Sequence, residues 1–323
     1  MKPKTRGLIA GLAAVVMLAA CTSTKPDDQT TDTPDNSSTT SRPAAKNRDE
    51  QAVFAALLRI DTCALLKSAA NALPGYSQRV QLEPDGPTQC SASSADHAGG
   101  VRIWLDELST NQRLQMRLTS LGGAKAYVER TAVCKIYLPV SFTYALAFLT
   151  DGFPGENQCP TGEQFVEAAA ATLAHPETVQ SEPRWDTCDL LRTAIGDENG
   201  SYRRSSQVNI LDECNEDKTG AWLFFDYGTP GVDTERVKWT KDAVGKTTVW
   251  TNELAGECRV EWQAGPPRHQ SEVGLRALVK LPTCEGAKQL AGSVMTLLTQ
   301  APPNDVPPQQ PLLYKPDEPD MPE

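Results

Sequence analysis

The chain has 323 residues, a net charge of −10 and nine cysteines. So acidic a polypeptide is repelled by phosphate backbones, which excludes nucleic acid as an expected partner, and anionic lipid heads do not attract it. The absence of Cys-x-x-Cys, together with only three histidines (His97, His175 and His269), excludes a zinc cluster of ordinary spacing.

Residues 1–20 have the layout of a secretory signal. Lys2, Lys4 and Arg6 precede a short apolar run over 8–20, which ends in Leu18-Ala19-Ala20-Cys21. The run is too short to cross a bilayer, which takes about 20 apolar residues. Cleavage before Cys21 would remove three positive charges and take the net charge from −10 to −13. Residues 21–48 read as a disordered linker, since 22–42 hold eleven Ser or Thr among scattered Pro and Asp.

An internal repeat follows. The first four of the remaining cysteines (Cys63, Cys90, Cys134, Cys159) lie 27, 44 and 25 positions apart. The last four (Cys188, Cys214, Cys258, Cys284) lie 26, 44 and 26 apart. The flanks agree: Asp61-Thr62-Cys63-Ala64-Leu65-Leu66 answers Asp186-Thr187-Cys188-Asp189-Leu190-Leu191. A period near 125 residues is one domain length, so two copies of one domain are expected, over 49–178 and 181–300.

Each copy opens on a helix capped by Asp61 or Asp186, whose carboxylate can accept from free amides of the first turn. Strands are expected at 101–105, 134–138 and 144–149, and at 221–225, 258–262 and 274–279. Closing helices are expected at 161–173 and 286–298. This order predicts an α+β fold, an antiparallel sheet with N- and C-terminal helices on one face. The tail 301–323, with eight prolines and an acidic end, reads as disordered.

Eight matched cysteines in an exported chain read as disulfides. Four cysteines allow three connectivities per copy. Pairing sequence neighbours (63–90, 134–159, 188–214 and 258–284) is preferred, because it staples each terminal helix to a strand. Each loop of this size is worth roughly 3.5 kcal/mol by chain entropy.

No catalytic motif, metal cluster or cofactor signature stands out. Asp61 and Asp186 read as helix caps. Trp222 and Trp262 read as core, and Trp185 as packing under the first helix of its copy. Trp239 and Trp250 flank a polar stretch and are the candidate binding aromatics.

The Leu-Ala-Ala-Cys string resembles the lipobox of bacterial lipoproteins, in which the cysteine takes a lipid. With the Ser/Thr/Pro/Asp linker, the Asp-x-Cys-x-Leu-Leu helix start and a late Cys before an Ala-rich helix, it resembles actinobacterial lipoproteins of a domain family of uncharacterised function. More loosely, it is similar to the extracellular sensor domains of mycobacterial Ser/Thr kinases. Many relatives have proline where this chain has Thr62 and Thr187, and most carry one domain. The resemblance implies lipidation at Cys21, the outer face of the cell membrane and ligand sensing.

The expectation is a membrane-anchored extracytoplasmic protein that binds a small molecule or a protein and is not an enzyme. An envelope enzyme with a site built from scattered acids, and a structural spacer, are the alternatives.

Overall fold

Why these residues form these elements is clearest at the helix starts. The Asp61 carboxylate accepts the Ala64 amide, and the Asp186 carboxylate accepts those of Cys188 and Asp189. Each satisfies donors that the first turn leaves free. A computed structural model describes residues 46–73, 80–94, 100–131, 133–151, 158–204, 210–234, 237–267, 273–303 and 306–322. Cys21, His97 and His269 lie outside the described residues, as does the signal and nearly all of the linker.

The first repeat runs α1 (Glu50–Leu57), α2 (Thr62–Asn71), β1 (Val80–Gly86), β2 (Gln89–Ser94), β3 (Gly100–Glu107), α3 (Thr110–Gln115), β4 (Arg117–Leu121), β5 (Ala124–Arg130), β6 (Cys134–Pro139), β7 (Tyr144–Asp151) and α4 (Gln158–Leu173). The second runs α5 (Thr187–Ile195), β8 (Tyr202–Arg204), β9 (Glu213–Glu216), β10 (Trp222–Gly228), β11 (Thr240–Val244), β12 (Thr247–Leu254), β13 (Glu257–Pro267), β14 (Gly274–Leu281) and α6 (Cys284–Leu298).

The protein is α+β, with two similar tandem sheet domains. Each sheet has seven antiparallel strands. The order β1-β2-β3-β7-β6-β5-β4 in the first is matched by β8-β9-β10-β14-β13-β12-β11 in the second, so the duplication extends to topology. Four disulfides join the terminal helices to strands: Cys63–Cys90, Cys134–Cys159, Cys188–Cys214 and Cys258–Cys284. None of the described helices is long and apolar enough to cross a membrane.

Alternation along the strands sets the layers. Val101, Ile103, Leu105, Ile136, Leu138 and Phe148 pack against α2 and α4. Leu223, Val249, Val260, Trp262 and Val279 pack against α5 and α6. Trp222 is a correction to the core assignment. It alternates with Leu223 to the outer face of the second sheet, half-buried and stacked on Phe224 with centroids 5.5 Å apart.

The repeats share a seam. Ile210 and Leu211 of the second repeat enter the core of the first. The connecting strand is paired as well: Asp61 N–H donates to Val179 O at 2.8 Å, and Ser181 N–H to Arg59 O at 2.7 Å. The Arg184 guanidinium donates to Leu58 O and Ile60 O.

The C-terminal segment is a second correction. Its composition predicts disorder over 301–323, yet Leu312, Leu313, Tyr314 and Asp320 are buried. Gln309 N–H donates to Ala52 O, and Lys125 N–H to Tyr314 O. One apolar triplet and one acid with buried cationic partners outweigh a composition that is otherwise unable to fold.

Candidate functional site

The seam between the repeats is hollow. Two adjoining cavities, of about 250 and 230 Å³, share Leu58, Pro183, Arg184 and Pro302 in their walls. Three distant stretches contribute to both. The end of α1 supplies Phe54 and Leu58. The segment before α5 supplies Pro183 and Arg184, and the chain beyond α6 supplies Gln300 and Pro302.

The first cavity is walled by Phe54, Pro302, Pro303 and Val306, with Asp186 and Asp189 at its polar side. Asp186 is already engaged: besides capping α5, its carboxylate pairs with Arg204 at 2.5 Å. Arg204 in turn lies over the Phe54 ring, 4.3 Å from its centroid, so the cation and the aromatic wall fix each other. Asp189 pairs with Arg192 at 2.5 Å. Burial raises the Asp189 carboxyl above its ordinary range and the nearby Asp186 charge adds to this, while Arg192 opposes both.

The second cavity is lined by Trp185, Leu211, Phe225, Leu275 and Leu298, with Asp212 and Thr88 among the polar groups. The Trp185 indole N–H donates to Gln300 O at 3.3 Å, which ties the C-terminal chain to the cavity wall. Asp212 is only 3% exposed, and the Thr88 hydroxyl donates to its carboxylate at 2.8 Å. Burial pushes the Asp212 carboxyl up to about 7, against hydrogen bonds from Thr88 and the charge of Arg184.

This arrangement suits binding. Concave, largely apolar walls supply the affinity of a small-molecule site, and a few placed polar groups supply orientation. The acids of the first cavity are committed to caps and ion pairs. Among the described residues no histidine lines either cavity, and His175 sits elsewhere at the surface, 80% exposed. Among the described residues, the one trio of metal-type donors is Glu253, Cys258 and Cys284, and both sulfurs are spent in a disulfide.

The candidate aromatics stand apart from the groove. Trp250, on β12, lies opposite Lys241 and Glu261, half-buried beneath Gly231. Trp239 is half-buried, with its backbone N–H on Asp233 at 2.9 Å. Neither lines either of these two cavities.

The groove residues were missed because they are scattered along the chain. One signal was present: positions 88 and 212 correspond in the two repeats, yet carry Thr and Asp. No family model, curated protein or solved structure matches the chain.

Proposed function

We propose that this chain is a lipid-anchored, extracytoplasmic binding protein of the cell envelope, and that the groove between its repeats holds a small, mainly apolar ligand. The observation that carries the reading is the construction of the two cavities from α1, the segment before α5 and the C-terminal chain. Such a site exists only when both repeats are in place, which gives the duplication a function. Asp212 and Arg184 supply the polar orientation at the centre, and the Trp185 ring supplies a flat apolar wall. Anchoring rests on the signal-like residues 1–20 and on Cys21.

The test is native mass spectrometry of the full chain released from its own membrane in mild detergent. Wild type should carry an extra bound mass. Ala55→Trp, placed in the wall of the first cavity, and Leu275→Trp, placed in the second, should lose that mass while their melting temperatures stay near wild type. Identical spectra for all three would remove the groove from consideration.

A further inference from the structure

The outer face of the first sheet, the side that α2 and α4 leave uncovered, carries a built carboxylate site. The Arg113 guanidinium donates to the Asp320 carboxylate at 2.8 Å, the Lys125 ammonium at 3.0 Å and the Tyr127 hydroxyl at 3.1 Å. The Arg113 and Lys125 side chains are 0% and 7% exposed. Arg113 also donates to Leu108 O and Ser141 O, so the body of the repeat holds two of the three guanidinium nitrogens and aims the third at the tail. The incoming main chain is read too. Lys125 donates to Tyr314 O through its amide and to Glu318 O through its ammonium, and Arg113 donates to Asp320 O. Arg48 sits over the Tyr314 ring, 3.8 Å from its centroid.

Four features mark the Asp320 pocket as a receptor, while Leu312 and Leu313 at the start of the stretch pack into the core of the first repeat. Among the described residues, every donor on Asp320 belongs to residues 113–127, and the acid comes from the far end of the chain. Two buried cations beside a single acid would leave a costly unpaired charge if that acid departed, so the face demands an anion. The second repeat shows that the fold itself does not need one from outside. Register places Glu261 where the first sheet has Tyr137, and Glu261 accepts the Gly231 amide and pairs with Arg276 from within its own sheet. The fit of the tail is also incomplete, since the Tyr314 hydroxyl is buried without a hydrogen-bond partner.

We infer that Arg113, Lys125 and Tyr127 form a recognition site for an extended peptide with a proline-flanked aspartate, and that the chain's own 312–321 fills it in cis. The partner is then an acidic, proline-containing segment of another polypeptide, which displaces this stretch. The inference is independent of whether the groove holds a ligand. The two are connected, because Pro302, Pro303 and Val306 on the approach to this stretch line the first cavity.

The experiment uses the full chain with a protease site inserted after Pro303, and a fluorescent synthetic peptide of residues 309–322. After cleavage and dilution, the nicked protein should bind the peptide saturably, at least about tenfold more tightly than the uncut chain, whose site is occupied. A peptide carrying Asp320→Asn should bind about tenfold more weakly, as expected for the loss of charged hydrogen bonds. The uncut Asp320→Asn chain should also bind the wild-type peptide. Equal binding of both peptides, or no binding to either altered protein, would overturn the inference. Unfolding of both altered proteins would do so too, since the tail would then be an element of the core. Concentration-dependent dimers of the uncut chain, lost in Asp320→Asn, would assign the site to a second copy instead.

Discussion

Thr88 and Asp212 occupy corresponding positions 124 residues apart, and they bond to each other across the seam at 2.8 Å. Contact between equivalent positions is what a local two-fold relation produces. In a symmetric pair of identical chains both positions would carry the same residue, and two aspartates there would repel. Duplication within one chain lets one copy keep a hydroxyl donor and the other a carboxylate acceptor. Thr88→Val removes that donor from a buried acid and should cost about 1–3 kcal/mol, read by chemical denaturation. Thr88→Asp should cost more, because it places a second carboxylate beside the first. Equal stability of wild type and Thr88→Val would mean that the bond carries no weight at the seam.

The same acid gives a pH dependence. Folding raises the Asp212 carboxyl from an ordinary 3.8 to about 7, so within this interval the folded state binds a proton that the unfolded state has released. Stability from this group is therefore fully present below 3.8 and is lost as pH rises through about 7. The charges acting on Asp212 are those of Arg184 and Asp226. Asp212→Asn should flatten this part of the stability profile. Melting temperatures of both proteins, measured from pH 4 to pH 8, check it; parallel profiles would contradict the assignment.

The turn between β4 and β5 needs two left-handed residues. Gly122 and Gly123 have φ of 56° and 79°. A Cβ at Gly123 meets open space, whereas one at Gly122 would run into the backbone of α4 at Glu167 and Ala171. Gly123→Ala should therefore cost about 1 kcal/mol for conformation alone. Gly122→Ala should cost more than that, because a helix backbone cannot step aside as a side chain can. Equal costs in urea unfolding would show that α4 yields.

Lipidation has a separate test. Labelling cells with a fatty acid should mark the wild-type chain and leave Cys21→Ser unmarked. Non-reducing mass analysis should find the four disulfides in both proteins. A labelled Cys21→Ser chain would end the anchoring proposal.

The sequence carried the repeat and the helix starts openly, because matched cysteines and the two Asp-Thr-Cys motifs are local and spaced by a fixed period. Strands such as β3 and β13 were legible from apolar alternation. β2, with the sequence Gln-Cys-Ser-Ala-Ser-Ser, was not, since its small polar residues depend on the neighbouring strands for their place. α1 and α3 escaped for lack of a distinctive pattern: α3 is six residues long, and its buried side chain is an arginine. The tail misled because composition averages over length, while Leu312, Leu313, Tyr314 and Asp320 act singly. The groove shows in the sequence only through the mismatch of Thr88 and Asp212, since Leu58, Arg184, Asp212 and Pro302 meet only after both repeats fold.

The groove's binding of a small ligand is tested by a crystal structure of the full chain purified from the cells that make it, without refolding. Continuous non-protein density is expected between Leu58, Pro183, Arg184 and Pro302, reaching toward Asp212. Ordered water alone in that groove, with the bound mass located elsewhere on the molecule, would contradict it.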